Sequence, residues 1–466
     1  MSFVSLEFAV LLALVLASTA LIRNAFARKL IILAASCAFY AWWDWRFLGL
    51  LVFVTVLDYF ISVLLVRSQD SRRRKLLLAI SVASNLAILG FFKYFNFFVD
   101  TLNLALHPLG LDLPELQILL PIGISFYTFE TLSYVIDVYR GHTEPAHSLV
   151  DYAVFVTFFP RLVAGPIMRA SNFLPQLYRG LKFSQENFVV GAQYFAQGLL
   201  KKIVMADTCA VVVDKVYETP WFYSSSTVWL GVLAFAVQVY FDFSGYSDMA
   251  TGVARMLGFE LTMNFNLPYT SLNLTEFWTR WHISLSTWLR DYLYISLGGN
   301  RKGEARTYLN MFVTMLLGGL WHGASWNFVL WGGLHGIGMS LERWWMRDRR
   351  HAIEWKFWRG LRGGLLVFLW IALTCVFFRS PSLDIAGVVF GKLLFLDPAG
   401  VNWFYLPAFF YMTVVLFGGL VLRARNLDFT RLDLTRPYVL PFIVSEFLFV
   451  YLFAAKGVAP FIYFQF

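Results

Sequence analysis

The chain has 466 residues, of which 59% are hydrophobic and only 14% charged. A soluble domain carries about 25% charged residues, so this composition excludes a water-soluble fold and makes lipid the main solvent. The formal charge of +9 does not point to nucleic acid, because Lys and Arg cluster in a few short loops, as the positive-inside rule expects.

Apolar segments of spanning length recur to the C-terminus, without the alternating runs of a transmembrane barrel. The expectation is an all-α polytopic membrane protein, one domain over residues 1–466, with roughly ten to twelve helices entering or crossing the bilayer. Cys37, Cys209 and Cys375 are isolated among apolar residues and no CxxC occurs, so they read as small core residues. No P-loop, GxGxxG, GxSxG or HExxH pattern is present.

Val4–Ile22 is the first candidate span. No Lys or Arg precedes it, so it reads as a retained helix and not a signal peptide. Leu30–Trp43 and Phe47–Val66 follow, flanked by the basic loops Arg23–Lys29 and Arg67–Lys75. Placing both loops in the cytoplasm puts the N-terminus outside. Leu76–Phe98 then exits, and Val99–Leu116, without Lys or Arg, reads as an outer loop.

Gln117–Ile136 re-enters as a kinked segment holding Pro121, Gly123 and Glu130, and Asp137–Ser148 returns to the cytoplasm. Tyr152–Arg169 is broken by Pro160, Arg161, Gly165 and Pro166. That suits a re-entrant or in-plane segment packed inside protein. Arg161 and Arg169 either face an anionic ligand or snorkel to the interface. Asn187–Ala206 is interrupted by Lys201 and Lys202, and Val228–Phe241 leads into Asp242 and Asp248. Those two carboxylates either serve function or pin helices together.

Ser271–Gly336 concentrates the reactive side chains. Asn273 and Glu276 resemble a capping box that opens a helix. Trp278, Trp281, Leu285, Trp288, Leu289 and Tyr292 then share one side, which predicts an amphipathic helix ending at the turn Gly298–Gly303, with His282 beside the stripe. Tyr308–Leu320 is too short to span, but continued through Trp331 it is long enough and places His322 near mid-membrane. Gly318, Gly319 and Gly323 let backbones approach. A histidine at that depth is either a hydrogen-bonded packing residue or a functional one suited to taking a proton from a hydroxyl. His335, about 20 Å further along a continuous helix, reads as a packing residue. His282, His322 and His335 lack the i, i+3 or i, i+4 spacing of a zinc site, so no metal is expected. Arg343–Arg362 reads as a cytoplasmic, interfacial helix; Leu365–Phe378 exits, Arg379–Val401 lies mostly outside, Leu406–Leu422 re-enters, Arg423–Arg436 is a basic inner loop and Pro437–Phe453 exits.

The blocks FWTRWHISLSTWLRDYLYISLGGNRKG and LLGGLWHGASWNFVLWGGLHG resemble the signature of the membrane-bound O-acyltransferase family. The likeness is greatest to its bacterial branch, which includes the membrane component of alginate O-acetylation. SFYTFETLSYVIDVYRG, FFPRLVAGPIMR, YFDFSGYSDMATGVARMLGF and NFNLPY extend the resemblance over nearly the whole chain. It implies a ring of helices around a funnel or tunnel. It also implies two catalytic histidines: His322, matching the WHG motif, as base or proton shuttle, and His282, matching FWxRWHIS, as an orienting residue.

The resemblance further implies an acetyltransferase of the bacterial inner membrane with no tightly bound cofactor. Acetyl-CoA is the expected cytoplasmic donor. A periplasmic SGNH-type protein within a polysaccharide biosynthesis and export complex is the expected partner, and an exported polysaccharide such as alginate is the expected product. Acylation of cellulose or peptidoglycan, D-alanylation of teichoic acid, and a non-enzymatic transporter or scaffold are the alternatives. No strong nucleophile stands out, so direct transfer is expected. CVFFRS at Cys375–Ser380 departs from the family, where tryptophan is common at the first position.

Overall fold

A computed structural model describes residues 1–180, 184–346, 355–426, 438–453 and 461. Among the described residues the secondary structure is helical, apart from one isolated bridge between Tyr223 and Val401. Among the described residues, six helical stretches are long and apolar enough to cross a membrane: Ala25–Asp44, Arg46–Arg67, Ser71–Leu109, Ser225–Met256, Phe357–Arg379 and Leu406–Arg425. The protein is therefore a multi-pass membrane protein. The chain divides into two compact units, Met1–Phe195 with Met249–Thr262, and Ala196–Asp248 with Met263–Phe466.

The first unit holds α1 (Leu6–Leu21), α2 (Ala25–Asp44), α3 (Arg46–Arg67), α4 (Ser71–Leu89), α5 (Phe95–Leu106), α6 (Ile124–Arg140), α7 (Leu149–Thr157), α8 (Ala170–Arg179) and most of α9 (Gln185–Leu199). A π-helical turn, Gly90–Tyr94, joins α4 to α5. The helix therefore runs on past Phe98 to Leu106, with a short turn to Leu109, so the first part of Val99–Leu116, expected as a loop, is helical. The kinked segment expected over Gln117–Ile136 is also revised. Helix α6 starts only after Gly123, whose φ of +74° and close approach to the Leu162 carbonyl suit glycine alone. It then continues to Arg140.

Buried polar side chains tie this unit together. Asp58 on α3 accepts from Ser81 at 2.6 Å and Asn85 at 2.9 Å on α4, and Asn85 accepts from Thr131 on α6 at 3.0 Å. Such fully met networks fix one arrangement of helices where lipid cannot satisfy them. Between α7 and α8 the chain is irregular, as the prolines and glycine foretold. Arg161 there neither faces a ligand nor snorkels. It is buried, paired with Glu130 and the Phe155 carbonyl, and lies over the rings of Phe155 and Phe173 at 4.8 and 5.2 Å. Glu130 also accepts from the Met168 N–H at 3.1 Å. One buried pair thus satisfies a non-helical stretch. Arg169 precedes α8 and is half-buried.

The second unit holds α10 (Asp207–Glu218), α11 (Ser225–Met256, to Asp248), α12 (Leu274–Trp278), α13 (Ile283–Trp288), α14 (Glu304–His322), α15 (Trp326–Trp345), α16 (Phe357–Arg379), α17 (Leu383–Leu393), α18 (Leu406–Thr413), α19 (Gly419–Arg425) and α20 (Val439–Phe453). Lys201 and Lys202 sit in a π-helical turn, Leu200–Ala206. Lys202 bridges Asp207 and Asp242 at 2.8 and 2.6 Å, and Lys201 meets Asp248 at 2.5 Å. Asp242 and Asp248 therefore pin α11 to that turn. The interfacial helix expected over Arg343–Arg362 is divided. Arg343 belongs to α15 and Arg359 and Arg362 to α16, while Arg347, Arg349 and Arg350 lie outside the described residues. Of the expected loop Arg423–Arg436, Arg423 and Arg425 belong to α19 and Arg431 and Arg436 lie outside the described residues.

Candidate active site

Helix α14 ends at His322, and Gly323–Ser325 turn the chain directly into α15. The continuous helix expected through Trp331 is therefore a tight hairpin, and His322 lies at its bend. Glycines set the spacing. Gly319 and Gly332 face each other, a Cβ on either falling 3.0 Å from the other's Cα, and a Cβ on Gly336 would lie 2.8 Å from Phe312 Cα. Such contact between small residues substitutes for the hydrophobic drive that lipid removes. The turn-forming Gly323 and Ser325, both with extended backbone, were readable as breakers in WHGAS.

The hairpin changes where His335 sits. Trp331 is 5.1 Å from His322 and 4.7 Å from His335, ring to ring. The 20 Å separation expected of a straight helix thus does not exist, and His335 stands one indole away from His322.

The amphipathic helix expected after Asn273 is also broken. Asn273 caps α12 as its pattern suggests, accepting from the Glu276 N–H at 2.8 Å. The Glu276 carboxylate accepts from Leu272 N–H at 2.8 Å, one residue before the usual capping-box partner. Glu342 of α15 accepts from the N–H groups of Leu274 and Thr275 at 2.6 and 3.1 Å. The helix then stops, and His282 takes the left-handed conformation at φ +41° before α13 begins.

The NFNLPY segment holds that kink. Asn264 accepts from Ile283 N–H through its carbonyl at 3.0 Å, and from the Ser284 hydroxyl through Oδ1 at 2.6 Å. Asn266 N–H donates to the Arg280 carbonyl at 2.9 Å. A non-glycine residue in this region is strained and persists only where its surroundings over-determine it, a condition concentrated at functional sites. The His282 ring is fully buried, 4.6 Å from Phe243 and 5.9 Å from Trp321. Trp321 is in turn 5.0 Å from His322. The two histidines picked from the sequence therefore flank one indole.

His322 lines a small cavity of about 20 Å³ with Val239, Phe277, Trp278, Trp281, Trp331, Ile371, Cys375 and Phe378. His282 and His335 are not among its lining residues. The walls are apolar, so a group seated there loses contact with water, and His322 is the imidazole among the lining residues. Its position at the carbonyl end of α14 favours the positive charge that a base acquires. The α16 wall was not singled out from the sequence. Ile371, Cys375 and Phe378 fall at i, i+4 and i+7, the spacing of one helix face, but in an apolar span every face looks alike.

The sequence profile described as MBOAT, the membrane-bound O-acyltransferase family, matches residues 38–378. The chain is 42% identical to the probable alginate O-acetylase AlgI of Pseudomonas putida, over 94% of this chain and 94% of that protein. It is 37% identical to the peptidoglycan O-acetyltransferase of Helicobacter pylori, over 78% of this chain and 73% of that protein. It is 30% identical to the teichoic acid D-alanyltransferase of Streptococcus thermophilus, over 49% of this chain and 58% of that protein. With the profile covering well over half of its length, the chain belongs to the membrane-bound O-acyltransferase family and is an O-acyltransferase.

Proposed function

We propose that this O-acyltransferase moves an acetyl group from a cytoplasmic thioester, acetyl-CoA, toward O-acetylation of an exported polysaccharide, with alginate as the favoured polymer. The observation that carries the reading is His322 in an apolar cavity, in a chain resembling an alginate O-acetylase along 94% of both lengths. The same relatives include enzymes of peptidoglycan and teichoic acid, but over less of the chain.

In this reading the acyl carbonyl enters the cavity and the acceptor hydroxyl approaches His322. The neutral imidazole takes the hydroxyl proton as the oxygen attacks the carbonyl. The tetrahedral intermediate collapses, the thiolate leaves, and the imidazolium returns the proton to its sulfur. His282 acts through Trp321, fixing the indole against which His322 stands. The inner membrane is the proposed location, with the N-terminus on the periplasmic side, and a periplasmic SGNH-type partner in the polysaccharide export complex is the proposed receiver.

The test is polymer-bound acetyl ester in cells carrying wild type or His322→Ala at matched membrane abundance. Loss of about 10²-fold or more is expected on removing a general base. Normal acetylation with His322→Ala would remove His322 from the chemistry and favour a scaffold or transporter.

A further inference from the structure

The inference rests on the transferase reading above and concerns two side chains it does not use, His335 and Trp278. His335 is fully buried on α15, and its Nε2 stands 3.2 Å from Thr374 Oγ1. The Thr374 hydroxyl has one hydrogen, and the Trp370 carbonyl one turn back takes it at 2.9 Å. Thr374 therefore accepts from His335, which fixes the imidazole as the Nε2–H tautomer. Its Nδ1 is then a bare acceptor, and no donor reaches it among the described residues. Trp278 shows the complementary state. Its buried indole N–H meets no acceptor among the described residues. The two rings meet edge to face at 5.1 Å, and Trp278 forms part of the wall of the His322 cavity.

A buried polar group left unmet costs about 1–3 kcal/mol. Here the bare acceptor of His335 stands beside the unmet donor of Trp278, with the Trp331 N–H a second unmet donor on a neighbouring ring. An anion would use donors alone, a cation acceptors alone, and an acyl chain neither. A hydroxyl uses both, its oxygen accepting from Trp278 Nε1–H while its hydrogen goes to His335 Nδ1. We propose that Trp278 and His335 form a hydroxyl-binding pair beside the His322 cavity, holding a hydroxyl of the acyl acceptor next to the one that His322 deprotonates, or a water that positions it.

The test uses the full-length protein in lipid nanodiscs, with acetyl-CoA as donor and a short alginate oligosaccharide as acceptor alcohol. His335→Gln keeps the donor to Thr374 but drops the Nδ1 acceptor. His335→Asn keeps an acceptor near Nδ1 but drops the Thr374 bond. Trp278→Phe removes only the N–H. With a hydroxyl-binding pair, His335→Gln and Trp278→Phe each weaken turnover about tenfold, while His335→Asn stays closer to wild type. A merely structural His335 gives the reverse order, with Gln rescuing and Asn failing, and overturns the proposal.

A raised acceptor KM assigns the pair to the alcohol. An unchanged KM with lowered kcat, together with ordered oxygen density between the two side chains by electron microscopy, assigns it to water. Wild-type kinetics in both His335→Gln and Trp278→Phe also overturn it. If wild type transfers no acetyl to this acceptor, direct transfer to the polymer fails, while transfer through the periplasmic partner stands. The pair is then judged by ¹⁵N-histidine NMR of the protein in lipid. A hydrogen-bonded Nδ1 signal of His335 that moves in Trp278→Phe supports the pair, and a free Nδ1 overturns it.

Discussion

His322 and Trp331 lie nine residues apart on opposite sides of the α14–α15 bend, yet their rings stand 5.1 Å apart, edge to face. The contact exists only because glycines let the two helices close. Gly332→Val places its branched side chain against the Met315 carbonyl and Gly319, so it forces the hairpin open. Overpacking of this kind costs about 1–3 kcal/mol. Gly333→Ala, whose Cβ meets the Leu316 side chain at 3.6 Å and the Phe312 ring at 3.8 Å, both ordinary contacts, is the tolerated control. Thermal unfolding in detergent checks the pair. A lowered midpoint for Gly332→Val alone is expected, with loss of acyl transfer.

The two histidines were legible in the sequence because charge and polarity are rare here, so His282 and His322 stand out from an apolar background. The helices that present them were not. Helical periodicity carries through Trp278, Trp281 and Leu285, and nothing in that spacing announces the left-handed break at His282, which the Asn264 contacts impose from elsewhere in the chain. Likewise, apolarity runs unbroken past His322, while the turn depends on Gly323 and Ser325. Arg161 shows the same limit, since a buried arginine reads as a ligand site until its partner Glu130, 31 positions away, is placed beside it.

The strain at His282 separates fold from chemistry. Asparagine tolerates the left-handed region far better than a β-branched residue. His282→Asn is therefore expected to keep the fold and to lower acyl transfer, because the ring against Phe243 and Trp321 is lost. His282→Val is expected to lose about 1–2 kcal/mol more stability from the backbone alone. Midpoints of unfolding measured beside activity distinguish the two effects. Equal stability of the Asn and Val variants would show that the conformation carries no strain.

Glu276 links α12 to α19 and lies outside the six crossing helices. Burial alone would raise its carboxyl, but the Leu272 N–H, Arg423 and Arg280 outweigh that and hold it below the usual carboxylate range. Arg423 and Arg280 stand 2.8 and 2.9 Å from Oε1. A carboxyl lowered in the folded state stabilises above its unfolded pKa, about 4.3 for glutamate, and that stability is lost as pH falls through the folded value. Wild type should therefore lose stability on acidification below about pH 4.3. Glu276→Gln, which keeps the acceptor for Leu272 but not the charge, should start lower at neutral pH and fall less. Parallel pH profiles for the two proteins would exclude Glu276 from this linkage.

Cys375 decides whether the acyl group is passed directly. It is the one thiol among the residues lining the cavity. A relay would require its thiolate to attack the donor carbonyl, expel the donor thiol and hold the acyl group as a thioester before a hydroxyl took it. A thiol buried among apolar side chains is inert unless a base or cation activates it. His322 lines the same cavity, so the relay has a candidate base and has to be tested. Direct transfer predicts that Cys375→Ala retains most of the acetyl transfer and that the stability loss stays small, since only one sulfur is removed from the wall. It also predicts that no hydroxylamine-sensitive acyl label remains on the protein when donor is supplied without acceptor. A label on wild type that disappears in Cys375→Ala, together with loss of transfer, would establish the thioester relay instead.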